Sequence, residues 1–269
     1  MREPEARCVF TTHAASLMAL RVSEITADHV CGVLTPLWSS ATPTAIKLRG
    51  RIEEILGRAK AQGQRTGENP ARWKGGLDAI LPKPGRIRRK VKHHQALPFA
   101  LLPAAYKALA ASDGLIAAFV RLCLLCASRP SEVQGARWSE IDFERSVWAI
   151  PPERMKRDKM HEVPLSGEAV DLLKRLPQLG TRIFPVKFSA SERLRVLRAA
   201  AGVDGITLHG SSRSSFDDWA TTNGYADRLI NYALSHYPAD VTTAAYRRAG
   251  LTEQRRPMMA SWGTFLRGA

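Results

Sequence analysis

The stretch from Lys83 to His94, KPGRIRRKVKHH, constrains the fold more than any other part of this chain. It follows Pro82, contains Pro84 and a glycine, packs a dense positive run, and has no apolar periodicity. Such a segment continues neither a helix nor a strand pattern and offers nothing to bury. The chain is therefore expected to fold as two bodies, and 269 residues suit two domains of ordinary size. The expected division is a helical domain over 1–82, a basic linker over 83–94 and a larger domain over 95–269. Arg86, Arg88, Arg89, Lys90 and Lys92 give the linker a charge that suits a tether following phosphates. A merely solubilising tether would read the same way, and the charge of the whole chain favours the first.

That charge is large. Lys and Arg total 40 against 25 Asp and Glu, a net +15, with a pI near 10.2. An excess of this size points to a polyanionic partner, most commonly nucleic acid. An anionic membrane is the rival, but no stretch approaches the roughly 20 apolar residues of a spanning helix, so no membrane partner is expected. Met1 to Arg7 is charged and no apolar signal core follows it, which points to the cytoplasm. Cys123 and Cys126 form a C-x-x-C inside the apolar run Leu122 to Ala127, with no second pair at metal spacing. They read as reduced core cysteines.

The first domain begins with a helix from Glu24 to Trp38, with Thr26 as a plausible N-cap. A second helix has Thr42 as its cap and Pro43 at its first position, with Leu48, Ile52, Ile55, Leu56 and Ala59 as one apolar stripe. Lys47, Arg49, Arg51, Arg58 and Lys60 lie off that stripe. They read equally well as a solvated face or as contacts to a DNA backbone, with Lys47, Arg51 and Arg58 the candidates. In the second domain, helices are expected over 97–111, 115–128, 169–176, 191–201, 213–222, 228–234 and 254–266. Val147–Ile150 and His161–Leu165 read as two strands joined by the basic turn PPERMKRDKM, a hairpin. The fold class is thus mainly α with a small β-sheet.

No metal cluster, phosphate-cradling glycine loop or Ser-His-Asp elbow is present in the sequence, so no cofactor is expected. The informative set is dispersed: Arg129 with Glu132, Lys156 on the hairpin turn, His209 near Arg213, His236, and Tyr246. Each alone is weak, but their order and surroundings carry a resemblance. Leu122 to Asp142 reads LCLLCASRPSEVQGARWSEID, an apolar helix, an Arg-x-x-Glu and a Trp-x-x-Ile-Asp turn, followed by VWAIPPERMKRDKMHEVPLS. A second box runs from Leu208-His209-Gly210 through Arg213 to Ala220. A third runs from Ala233-Leu234-Ser235-His236 through Ala244-Ala245-Tyr246-Arg247-Arg248 to Trp262. These boxes resemble those of the tyrosine recombinase, or phage integrase, family, in phrasing similar to the integrases of satellite phages and genomic islands. Residues 95–266 carry the likeness, and RTGENPARWKGGL (Arg65 to Leu77) extends it loosely into 22–82.

The resemblance implies a site-specific recombinase that integrates or excises a mobile element, with a core-binding domain and a mixed α/β catalytic domain of the DNA breaking-rejoining type. It implies Tyr246 as nucleophile, Arg129 and Arg213 on the scissile phosphate, and His236 donating to that phosphate. His209 would assist proton transfer or bind the phosphate, and Lys156 would protonate the leaving 5′-hydroxyl, with Lys159 a rival. It also implies double-stranded DNA as substrate, a homotetramer on paired sites, a nucleoid location, and chemistry without metal or ATP. A decayed, DNA-binding integrase and a type IB topoisomerase are the alternatives. A basic RNA-binding protein leaves the boxes unexplained. One departure stands out. The second box is usually His-x-x-Arg, and here one residue is added between His209 and Arg213. If a helix starts there, the insertion turns His209 by about 100° relative to Arg213, predicting a misplaced residue and reduced activity. The N-terminus also looks too short for an arm-binding domain.

Overall fold

A computed structural model describes residues 9–83, 95–155, 158–236 and 248–268. The chain divides into two compact units, Met1–Lys92 and His93–Ala269.

The first unit is built on α1 (Ala27–Ser40) and α2 (Thr42–Ala61), which pack on each other. Thr26 caps α1, its Oγ1 accepting from the His29 N–H. Thr42 does not cap α2: Ala41 stands at that position, and Thr42 opens the helix while its hydroxyl donates to the Trp38 carbonyl at 2.8 Å. The last turn of α1 takes the hydroxyl that the cap would have used. Leu48, Ile52, Leu56 and Ala59 form the buried stripe, but Ile55 is 46% exposed. Its place on the wheel is the stripe's edge, where the core has ended. The segment after α2 wraps back on it. Asn69 Nδ2 donates to the Glu53 carbonyl at 2.7 Å, Arg49 Nη1 donates to the Ala71 carbonyl at 2.8 Å, and Trp73 stacks on Trp38.

The second unit is mainly α, with one small antiparallel sheet. Its helices are α3 (Leu102–Ala110), α4 (Leu115–Leu125), α5 (Pro130–Gln134), α6 (Gly167–Arg175), α7 (Ala190–Ala201), α8 (Leu208–Thr222), α9 (Asp227–Ala233) and α10 (Arg248–Arg267). The sheet order is β1 (Ile141–Asp142), β2 (Val147–Ile150), β3 (His161–Pro164). β2 and β3 are the expected hairpin, in register Trp148 to Val163 and Ile150 to His161. β1 is an additional strand, formed where the Trp-x-x-Ile-Asp turn straightens against β2. The helix expected from Leu97 begins only at Leu102, because Gln95 first bridges to Ile206 and Phe99–Leu101 forms a 3₁₀ turn. α4 is apolar on almost every side and is the buried centre. α3, α6, α7, α8 and α10 all pack against it. Cys123 and Cys126 lie in that core as free thiols, and burial pushes the Cys126 thiol up to about 12.

Candidate active site

Two helix ends of the same design frame the site. α4 stops at Ala127, whose φ of 46° is left-handed. The Ala127 N–H bonds the Leu124 carbonyl at 3.2 Å and the Ser128 N–H reaches back to the Cys123 carbonyl at 3.2 Å. This is the Schellman arrangement, which glycine usually terminates. α9 ends alike. Ser235 has φ 51°, its N–H bonds the Tyr232 carbonyl at 3.1 Å, and the His236 N–H bonds the Asn231 carbonyl at 2.7 Å. Non-glycine residues in this region cost about 1–2 kcal/mol each. The first reversal delivers Arg129 and the second His236, so both strained turns lie directly at the candidate residues.

Arg213 ties the two reversals together. It sits on α8, 5% exposed. Its Nη1 donates to the Ala127 carbonyl at 3.1 Å, its Nη2 donates to the Leu234 carbonyl, and Nη2 lies 3.0 Å from His236 Nε2. Arg129 approaches from the other side. Its Nη1 donates to Glu132 Oε1 and to Ser235 Oγ, both at 2.7 Å, and Glu132 Oε2 accepts the Arg129 backbone N–H at 2.8 Å. Pro130 starts α5 and places Glu132 at its third position, where a carboxylate bonds back to the cap. The Arg-x-x-Glu spacing in the sequence is therefore a capping device that also holds a guanidinium.

The added residue in the second box does not separate His209 from Arg213. α8 begins at Leu208, capped by Thr207, whose Oγ1 accepts from the Gly210 N–H at 3.1 Å. Four residues apart on a helix lie on one face, as three apart do. Burial, then the charges of Arg213 and Arg129, hold the His209 imidazole below its ordinary pKa, so His209 is within electrostatic reach of both guanidiniums. Ser211 turns inward instead, its Oγ accepting from the Leu97 N–H at 3.1 Å. α8 runs unbroken through the box, so the added residue does turn His209 relative to Arg213, while the four-residue spacing keeps both on one side of the helix.

Two guanidiniums concentrate positive charge where the two helix ends meet. Desolvation and the Arg129 charge lower Arg213 to about 10, still fully charged at neutral pH. Desolvation, reinforced by Asp218, raises the Asp217 carboxyl. Lys156 and Tyr246 lie outside the described residues, as do Arg86, Arg88, Arg89, Lys90 and Lys92 in the linker. Lys47 is exposed, whereas Arg51 bonds Glu54 at 2.6 Å and Arg58 stands 3.8 Å from the same carboxylate, so part of the basic face of α2 is neutralised.

Sequence reading missed His161. It is 3% exposed on β3 and hydrogen-bonded to the Ala233 backbone. Desolvation, then Arg255, Arg213 and Arg129, lower it from 6.5 to about 3. No motif marks it, because a histidine opening a strand reads as ordinary. Above pH 6.5 it is neutral both folded and unfolded. Below that, the unfolded chain takes up a proton that the folded chain refuses. Stability should therefore fall as pH drops, by about 1.4 kcal/mol per unit from this group, down to about pH 3. Urea unfolding of the parent and of His161→Gln between pH 7 and 4.5 checks this. The parent should show the steeper loss, and parallel slopes would exclude it.

The phage integrase family profile matches residues 100–251, and the phage integrase central domain profile matches residues 6–76. Prophage integrase IntZ of Escherichia coli (strain K12) is 32% identical over 251 residues, covering 90% of this chain and 60% of the relative. Prophage integrase IntA of the same strain is 36% identical over 154 residues, covering 54% and 37%, and the integrase of Enterobacteria phage P4 is 29% identical over 248 residues, covering 82% and 54%. The chain thus spans between about a third and three-fifths of the length of these relatives. Among solved structures, a lambda integrase (75-356) dimer bound to a COC′ core site superposes with a TM-score of 0.63 at 16% identity, covering 88% of this chain and 89% of that one. The Tn1549 transposon integrase in complex with transposon right end DNA gives 0.62 at 11% identity, covering 96% and 93%. At such identities the likeness is one of fold. The profile match over most of the second unit, across the boxes that carry Arg129, Arg213 and His236, decides the matter: the chain belongs to the phage integrase family.

Proposed function

We propose that this chain cleaves and rejoins double-stranded DNA at specific sites through a 3′-phosphotyrosyl link to Tyr246. The observation that carries the reading is the convergence of Arg129 and His236, each just past a helix end, with Arg213 from within α8. Two largely buried guanidiniums next to each other, with Glu132 bonded to one of them, leave excess positive charge. A phosphodiester would relieve it. In-line attack adds charge to the non-bridging oxygens, and fixed guanidinium donors stabilise that charge where it develops. The Tyr246 oxygen forms a bond to phosphorus as the bond to the 5′-oxygen breaks. The phenol proton leaves to a base, for which His209, its pKa lowered by burial and by Arg213, is suited. Lys156 gives a proton to the departing 5′-oxygen, with Lys159 as the alternative donor. The phosphotyrosyl bond keeps the energy of the backbone, so a second 5′-hydroxyl reverses the step without ATP. Metal is unnecessary where guanidiniums take the charge. A tetramer on paired sites would exchange strands, and the basic linker and α2 would follow phosphates, so binding should weaken steeply with salt.

The test is covalent trapping. Protein is incubated with labelled pooled DNA fragments without metal, quenched in detergent and resolved on a denaturing gel. An adduct that is absent with Tyr246→Phe is expected. A native-gel shift without any adduct would instead support a DNA-binding integrase that has lost catalysis. Relaxation of supercoiled plasmid without a preferred site would support the topoisomerase reading.

A further inference from the structure

We infer that Arg154 is a positioning residue that anchors the β2–β3 connection, and with it Lys156, to the turn that carries Arg129; this rests on the proposed role of Lys156 as proton donor. Pro151 and Pro152 fix the backbone of a 3₁₀ turn over Pro152–Arg154, closed by the Arg154 N–H on the Pro151 carbonyl at 3.1 Å. From that turn the Arg154 side chain, 17% exposed, reaches Glu140 and α5. Its Nη1 bonds both oxygens of the Glu140 carboxylate and its Nη2 bonds the Glu132 carbonyl. Glu140 is itself buried and also accepts the Trp148 indole N–H at 3.0 Å.

Glu132 therefore serves two masters. Its carboxylate holds Arg129 and its carbonyl holds Arg154. The phosphate-binding arginine and the root of the lysine-bearing connection are built on one short helix. The fit is close on the remaining side as well. A Cβ on Gly135 would lie 3.0 Å from Arg154 Nη2 and 3.1 Å from Nε, so glycine there makes room for the guanidinium. Lys156 follows Arg154 by two residues, with the buried Met155 between them. A planar fork spanning two acceptors fixes orientation as well as distance, which a lysine in its place could not do. Nothing in this arrangement touches the reacting atoms; Arg154 acts through the placement of Lys156.

Two measurements test it. In the free protein, trypsin should cut after Lys156 and Lys159 at least about fivefold faster in Arg154→Gln than in the parent, at unchanged rates elsewhere. Equal rates would overturn the anchor. The second uses a duplex carrying the site recovered by trapping, made either with an ordinary phosphodiester or with a 5′-bridging phosphorothiolate, whose sulfur leaves without needing a proton. Arg154→Gln should cleave the phosphodiester at least about tenfold slower and the phosphorothiolate within about threefold of the parent, tracking Lys156→Ala. Rescue of Lys156→Ala but not of Arg154→Gln would overturn the assignment alone. Failure to rescue Lys156→Ala would overturn the proton-donor role and the assignment with it. Gly135→Ala, which pushes on the same guanidinium, repeats both measurements should Arg154→Gln fold poorly, and parental behaviour of a folded Gly135→Ala would count against the anchor.

Discussion

Arg213→Ala should lower covalent adduct formation by at least about 10³-fold, at the upper end of what one oxyanion donor contributes. The large effect has two sources. In the proposed mechanism Arg213 is a charge that the transition state needs, and in the fold it is the bolt between the two left-handed turns. Its three partners are the Ala127 carbonyl, the Leu234 carbonyl and His236 Nε2. Truncation strands two buried carbonyls, each worth about 1–3 kcal/mol when left without a donor. It also removes one partner of His236. Arg213→Lys separates the sources. It keeps the charge, but a point ammonium cannot bridge two turns and a histidine at once. Its cleavage should stay about 10²-fold or more below the parent, with urea stability between those of the parent and the alanine variant. Single-turnover trapping and urea unfolding measure the two effects. A lysine variant that cleaves within about tenfold of the parent would mean that charge alone organises the phosphate.

The sequence names Arg129, Arg213 and His236, which the structure brings together, but not the turns that frame them. The Arg-x-x-Glu spacing reports a helix start, and α5 is that start. The two reversals left no trace, because the usual signal is glycine, while Ala127 and Ser235 occupy the left-handed positions. The helix expected over 213–222 begins earlier, at Leu208, so the insertion in the second box lies inside it. Thr207 caps it, and Ser211 within the box accepts the Leu97 N–H. Glu140 and Arg154 meet across the hairpin, and no local spacing rule connects a residue before β1 to one after β2. The basic face of α2 was correctly seen as a face, but Glu53 and Glu54 take up Arg49 and Arg51. Charge counted along a chain is blind to such pairing.

Trp262→Ala should cost the catalytic unit about 3–5 kcal/mol, a large share of the 5–15 kcal/mol that natural domains have. Trp262 is fully buried on α10. Its ring meets Phe216 edge-on at 5.3 Å and Trp219 at 4.9 Å, both on α8, and its Nε1 donates to the Leu124 carbonyl at 2.8 Å. That carbonyl also accepts the Ala127 N–H of the turn leading to Arg129. One indole thus joins the helix that follows Tyr246 in the chain, the helix that carries Arg213 and the end of the helix that precedes Arg129. Alanine leaves a cavity among aromatic rings that cannot collapse to fill it. Trp262→Phe keeps most of the packing and loses the hydrogen bond. Its cost should be nearer 1–2 kcal/mol, because the Leu124 carbonyl retains its backbone partner. Urea unfolding followed by near-ultraviolet circular dichroism measures both. If the alanine variant lost less than about 1 kcal/mol, α10 would not be an integral part of the core.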